Sequence, residues 1–282
     1  MSASQRGELN LPISTQANTV HLGCQTNAWR IPRGNFQGFL AVLDRIRSYG
    51  FEGFETGFQN VEGVFAHSRE AQVQIEQKGI RFFGVHIFLL QYDPKTCLAP
   101  EDLIRRVAAG AAELGAGCLI LSGGATSALE HKTDALSGAA EYCLQEGLPL
   151  AYHNHPHEFH QQGAEVEWLV SGTDPKRVSF VLDVGHVHLA GGDALAFFRQ
   201  HHGRITALHL RDFREEEQVP LGRGTLDLLA WKKAIEECRW TGWALVEEER
   251  PNDGRPGDTA VAPASQALRR TFRTEAPERK NR

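Results

Sequence analysis

Residues 178–186 read VSFVLDVGH, and this stretch decides the fold. Five residues that are nearly all apolar or β-branched run into Asp183. That pattern belongs to a strand covered on both faces, as in a parallel sheet, rather than to one that alternates between core and water. An aspartate ending such a strand is either part of a site or the N-cap of a following helix. Gly185 reads as a point where the backbone turns sharply and returns His186 over the strand end.

The same grammar repeats on both sides. Further short apolar runs lie at 19–24, 51–55, 81–86, 117–121, 148–153, 205–210 and 243–247. Their starts are roughly 25–35 residues apart, the length of one βα unit. Helical periodicity fills the gaps at 36–49, 68–78, 100–114, 133–146, 165–170, 193–200 and 226–238, with a last helix at 263–272 that has Pro263 in its first turn. Gly50, Gly79, Gly115 and Gly147 follow the first four as stop signals. Eight strands alternating with helices predict an α/β protein: a single (β/α)8 TIM barrel with a parallel eight-stranded core over residues 19–274, and flexible segments at 1–18 and 275–282. The 282 residues suffice, since single barrels run to roughly 200–250 residues or more.

Composition narrows the function. With 30 Lys and Arg against 35 Asp and Glu, the formal charge of −5 gives no reason to expect nucleic acid or an anionic membrane as partner. The polar N-terminus and the lack of any run of ~18 apolar residues predict a cytoplasmic protein. Five cysteines, without a CxxC pair, read as free thiols of a reducing compartment. No P-loop is present. The outer helices leave room for a homo-oligomer, but none has an apolar stripe broad enough to specify one.

Barrel enzymes work at the C-terminal ends of their strands. Here those ends carry Glu55, His86, His153 (then Asn154, His155, His157 and Glu158), Asp183 (then His186), His209 (then Arg211 and Asp212) and Glu247. Unpaired ions buried there would cost several kcal/mol each, by the rough magnitude for such groups. A central cation resolves the conflict. Asp183, His209 and Glu247, with His153 as fourth member, mix carboxylate and imidazole donors. Such a set suits Mn²⁺, Co²⁺, Fe²⁺ or Zn²⁺ better than Mg²⁺. The plainer alternative is a salt-bridged cluster without metal. Trp29 and Phe88 follow strands one and three, where a ring packs either on a sugar face or simply into the core. Gly222 and Gly224 permit close backbone approach, which an ordinary turn explains equally well.

The residues YHNHPHEF (152–159), VLDVGH (181–186), ALHLRDF (207–213), PLGRGTLD (220–227) and LVEEER (245–250) together resemble the xylose-isomerase-like superfamily. Its members include sugar and sugar-phosphate isomerases and epimerases, inosose dehydratases and related keto-sugar lyases. The resemblance runs from about Leu22 to Glu249. It implies a (β/α)8 barrel with one or more divalent ions, held at His153, Asp183, His209 and Glu247. It also implies substrate contacts at His186 and at an arginine after the strand-seven histidine, for which Arg211 and Arg214 are both candidates. Glu55 and His86 are read as further substrate contacts. Glu158 resembles a second acidic residue of the family, and whether it or His153 completes the metal shell stays open.

One departure matters. Many family epimerases have glutamate where this chain has His153, and there two glutamates form the acid/base pair. Here His153, His155 or Glu158 would have to work with Glu247. The expectation is a metal-dependent isomerase or epimerase of a keto-sugar or related polyol, removing a proton next to a carbonyl to give a metal-stabilised enolate. The HNH variant turns part of the expectation toward a dehydratase or lyase of the inosose dehydratase or keto-glycoside type. A non-catalytic barrel that binds metal and sugar is a further alternative. An abasic-site endonuclease, which would need a basic groove, is the remotest.

Overall fold

The computed structural model describes residues 20–249 and 256–273. The strands are β1 (Val20–Gln25), β2 (Gly53–Gly57), β3 (Arg81–Ile87), β4 (Leu119–Leu121), β5 (Leu150–His153), β6 (Val178–Asp183) and β7 (Ile205–Leu210), then the short β8 (Asp212–Arg214) and β9 (Glu217–Val219), and finally β10 (Gly242–Val246). β1 to β7 and β10 close into a parallel barrel in which β1 pairs with β2 on one side and β10 on the other. β8 and β9 form a separate antiparallel hairpin in the loop after β7. Outside lie α1 (Phe36–Ser48), α2 (Ser68–Glu76), α3 (Glu101–Glu113), α4 (Leu129–Gln145), α5 (Pro156–Gly172), α6 (Val184–Leu189), α7 (Ala194–His201), α8 (Leu228–Glu237) and α9 (Asp258–Phe272). The predicted (β/α)8 barrel is the fold, while the segments expected to be flexible, 1–18 and 275–282, fall outside the described residues.

The four glycines read as helix stops all have positive φ, between 65° and 83°, the conformation that ends a helix without a Cβ clash. Other details differ from expectation. Residues 184–189 form a helix directly after β6 rather than a turn, and Asp183 caps it by accepting from His186 N at 2.8 Å. Gly185 therefore lies inside a helix. Its small size serves packing: a Cβ there would sit 2.6 Å from Phe213 Cε2 and 2.8 Å from Arg211 Cβ. α5 starts at Pro156, well before the expected 165, but its backbone breaks at His160–Gly163 and the predicted piece is the part after the break. Pro263 sits inside α9, not in its first turn. The β8–β9 hairpin had no signal, because its strands are three residues long and charged.

Inside the barrel, side chains alternate in layers, because successive Cβ atoms on a strand face opposite ways. Phe83, Cys118, Ile120, Ala151, Val181, Ala207 and Leu245 form an apolar plug on the axis. A larger apolar cluster fills the space between the sheet and the helices. Two residues past the plug on β4, β5, β6, β7 and β10 come Ser122, His153, Asp183, His209 and Glu247. Gln25, Glu55 and His86 from β1, β2 and β3 complete a buried polar layer with one residue for each barrel strand.

Candidate metal centre

One donor atom each from His153, Asp183, His209 and Glu247 lies within 4.8 Å of the other three. His153 Nε2 is 3.0 Å from His209 Nδ1, 3.6 Å from Asp183 Oδ2 and 3.9 Å from Glu247 Oε2. His209 Nδ1 is 2.8 Å from Glu247 Oε2. Two ligands bound at ~2.0–2.2 Å to one ion stand roughly 3.0–3.5 Å apart, so the spacing and the mixed nitrogen and oxygen donors both fit a divalent cation.

Electrostatics point the same way. Burial pushes the carboxyls of Asp183, Glu55 and Glu247 up, but the surrounding cations outweigh it. His186 and Arg211 hold Asp183 well below the usual range, and His209 with His86 holds Glu55 at about 2. Glu247 is likewise held low, chiefly by His209. Burial disfavours imidazolium at His209, yet the carboxylates of Glu55 and Glu247 hold its pKa well above the ordinary value. His153, by contrast, is pushed down to about 4, mostly by burial. A metal ion bound there would compete with a proton for His209 Nδ1.

Of the residues expected to contact substrate, Glu55, His86, His186 and Arg211 lie in this layer or at its edge, and Arg214 lies outside it. His186 donates from Nδ1 to the Asn154 carbonyl at 2.9 Å and accepts from Arg211 at Nε2, also 2.9 Å, which fixes its tautomer. Arg211 is buried, donates to Asp183 Oδ2 at 3.4 Å and to Gln218 Oε1 at 2.8 Å, and its Nε has no hydrogen-bond partner among the described residues. His86 lies between Glu55 and Ser122. Glu55 is fully buried, with its oxygens engaged by His209, Gln25 and His86. Arg214 is exposed on the hairpin and donates to the Arg223 carbonyl at 3.1 Å, outside the buried layer.

Glu158 is also elsewhere. Its carboxylate accepts from Tyr152 OH, from Lys132 Nζ at 3.1 Å and from His155 N at 2.7 Å. His157 Nε2 is 3.0 Å from it. Burial raises this carboxyl, but His157 and Lys132 hold it at about 2. His153, not Glu158, is thus the strand-five residue placed within the four-donor cluster. His155 is half-buried at the rim, its ring 5.4 Å from that of His153 and 5.5 Å from that of Phe88. Burial pushes its pKa down to about 2. Trp29 instead donates to Asp258 Oδ1 at 3.1 Å and steadies the start of α9.

Several residues escaped the sequence reading. Gln25 and Ser122 carry no charge, and only the two-residue parity of the strands singles them out. Asn27 donates to Glu247 Oε1 at 2.7 Å across 220 positions of sequence. Lys132 is fully buried in α4, where an isolated lysine reads as solvated. Asp212 accepts from the backbone of Gly222, Gly224 and Leu226 at 2.8–2.9 Å and so folds the PLGRGTLD loop around itself. Cys24 is buried and its thiol pushed well up, mainly by that burial, which leaves it no role as a nucleophile.

An inosose dehydratase of Lacticaseibacillus casei is 29% identical over 153 residues, 47% of this chain, so the chain spans about half the length of that relative, 51%. A sugar phosphate isomerase/epimerase from Parabacteroides distasonis superposes with a TM-score of 0.70 at 20% identity, covering 92% of this chain and 99% of that one. The 3-keto-D-glucoside 4-epimerase of E. coli superposes with a TM-score of 0.66 at 16% identity, covering 89% and 98%. At these identities the superpositions speak for the barrel alone. The decisive match is through residues 43–271, which contain β2 to β10 and three of the four cluster strands' neighbours on either side: by that match the chain belongs to the xylose isomerase-like TIM barrel family.

Proposed function

We propose that this protein is a divalent-metal-dependent enzyme that removes a proton next to the carbonyl of a keto-sugar or keto-cyclitol. The observation that carries the reading is the closure of His153, Asp183, His209 and Glu247 to within 4.8 Å at the C-terminal end of the barrel. His153, Asp183, His209 and Glu247 would hold a divalent ion, which would supply Lewis-acid polarisation of the substrate carbonyl. Glu247 takes the proton, steadied at Oε1 by Asn27. Arg211 offers its Nε to a substrate oxygen while its other nitrogens are held by Asp183, His186 and Gln218. His155 and Phe88 form the wall of the entrance, where a ring face suits a sugar.

Return of the proton gives an isomer or epimer. The side chains opposite Glu247 also favour a second reading, a dehydratase. Strand five presents imidazoles there, and Glu158, the nearby acid, is engaged by Lys132 and Tyr152. With Glu247 taking the proton and returning it to the departing β-hydroxyl, the C–O bond breaks, water leaves and the double bond forms without a second acid/base glutamate. The inosose dehydratase relative agrees with this reading.

The test is metal analysis of the purified protein and of Asp183→Ala and His209→Ala, with solvent-deuterium exchange into keto-sugars and keto-inositols. Near-stoichiometric metal in the native protein, lost in both variants, together with metal-dependent deuterium uptake is the expected result. The product then separates isomerisation from dehydration. A native protein that takes up neither Mn²⁺ nor Co²⁺ overturns the proposal.

A further inference from the structure

The polar layer contains a closed ring of polar contacts, and metal binding would dictate the direction of each hydrogen bond in it. It runs from Glu55 Oε2 to His209 Nε2 at 2.7 Å and from His209 Nδ1 to His153 Nε2 at 3.0 Å. It continues from His153 Nδ1 to Ser122 Oγ at 3.4 Å and from Ser122 Oγ to His86 Nε2 at 2.6 Å. It returns from His86 Nδ1 to Glu55 Oε1 at 3.4 Å. The two nitrogens at 3.0 Å, His153 Nε2 and His209 Nδ1, are those that face the four-donor cluster. To act as ligands both must present lone pairs.

That requirement settles every proton in the ring. With Nδ1 of His209 unprotonated, Nε2–H donates to Glu55 Oε2. With Nε2 of His153 unprotonated, Nδ1–H donates to Ser122, Ser122 donates to His86 Nε2, and His86 Nδ1–H donates to Glu55 Oε1. Two chains of donors, one of a single step and one of three, end on the same carboxylate. Gln25 supports it: its Oε1 accepts from Asn27 N at 3.1 Å, which turns its amide nitrogen to donate to Glu55 Oε1 at 3.0 Å.

We infer that Glu55 is a positioning residue that sets the tautomers of both histidine ligands at once, directly for His209 and through His86 and Ser122 for His153. This rests on the metal-binding reading above. The isosteric variant Glu55→Gln exposes the logic. An amide offers one acceptor where two are needed. The Gln25 amide nitrogen and His86 both donate to the Oε1 position, so the new amide oxygen turns there and its NH₂ group faces His209 Nε2. That nitrogen must then accept, which moves the proton of His209 to Nδ1, the cluster side. A change of one atom, made out of reach of the ion, removes a ligand lone pair.

The experiment titrates Co²⁺ into wild type, Glu55→Gln and Ser122→Ala, following visible absorption, with circular dichroism of each as a check of fold. It also reads the imidazole tautomers by nitrogen-15 correlation spectra of the Zn²⁺-loaded, histidine-labelled proteins. Glu55→Gln is expected to weaken Co²⁺ binding roughly 10–100-fold, the usual cost of losing a partner behind a ligand, with His209 changed in tautomer. Ser122→Ala is expected to weaken it less and to alter only the His153 and His86 signals. If Glu55→Gln fails to fold, the signals of Ser122→Ala carry the test. Wild type that binds no Co²⁺ overturns the metal reading itself. Wild type that binds while both variants bind equally well, with unchanged tautomers, overturns only the role of Glu55.

Discussion

Two buried acidic clusters lie close together in this barrel and are balanced in opposite ways. Behind β5, Glu158 and Glu165 share Lys132, a cation carried by the chain and itself fully buried, with Nζ donating to both acids and to the Gly124 carbonyl. On the axis, Glu55, Asp183 and Glu247 share the buried layer with one permanent cation among the described residues, Arg211, which donates to Asp183. Three carboxylates against one guanidinium leave two negative charges for something else to balance. Burying unbalanced charge costs several kcal/mol, by the rough magnitude for buried ions. A lysine permanently offsets one of the two charges behind β5, with His157 beside Glu158, and makes a structural cluster. Buried imidazoles, of which His209 is held toward its protonated form by Glu55 and Glu247, leave the balance to a proton or a divalent ion and make a chemical one.

The comparison can be broken most sharply by removing the ion. Chelation should abolish turnover and lower the midpoint of thermal unfolding. Saturation at ~1,000 times Kd should stabilise the fold by about 4 kcal/mol. Equal melting with and without Mn²⁺ or Co²⁺ would show that the axial cluster is balanced without metal. The next largest effect belongs to the other cluster. Lys132→Met leaves two buried acids without their cation and should cost about 3–5 kcal/mol in urea unfolding. A loss under 1 kcal/mol would mean that Glu165, at the edge of the cluster, simply turns to solvent.

Acid sharpens the contrast further. Glu158 is lowered from 4.5 to about 2, so it contributes stability that is complete above pH 4.5 and is lost as pH falls toward 2. In Lys132→Met this acid loss should shrink, because without the cation the folded pKa of Glu158 rises back toward the unfolded one, whereas in Arg214→Ala it should not change, a difference readable from urea midpoints across that range. The smallest effect is expected outside both clusters. Arg214→Ala removes an exposed side chain bonded to the Arg223 carbonyl and should change stability by no more than about 0.5 kcal/mol. A tenfold fall in turnover would mean that the hairpin reaches the substrate after all.

Much of this was legible in the primary structure. The strand VSFVLD lies where its apolar run predicts, from Val178 to Asp183, because a strand covered on both faces has no polar period to blur it. Charged strand ends were legible too, since a lone ionisable residue after such a run stands out. Gln25 and Ser122 were not: they are neutral, and nothing in their local sequence separates a buried amide or hydroxyl from an exposed one. Glu55 was recognised as part of the site, but its pairing with His209, Gln25 and His86 was not, because these partners lie between 30 and 154 residues away.

The sequence by itself determined the barrel, its strand order along the chain and the chemical types gathered at the strand ends. The reason is that periodicity and burial are local signals, repeated in every βα unit. Only the tertiary structure decided which acids meet a histidine and which meet Lys132. Closure of the barrel sets strand register, and register chooses which side chain of each strand shares a layer with its neighbours. A one-residue slip on β5 would turn His153 outward to the helices and bring its neighbours inward. The assignment of Glu158 to Lys132, and of Glu55 to both histidines, is therefore a property of the closed barrel and of no single strand.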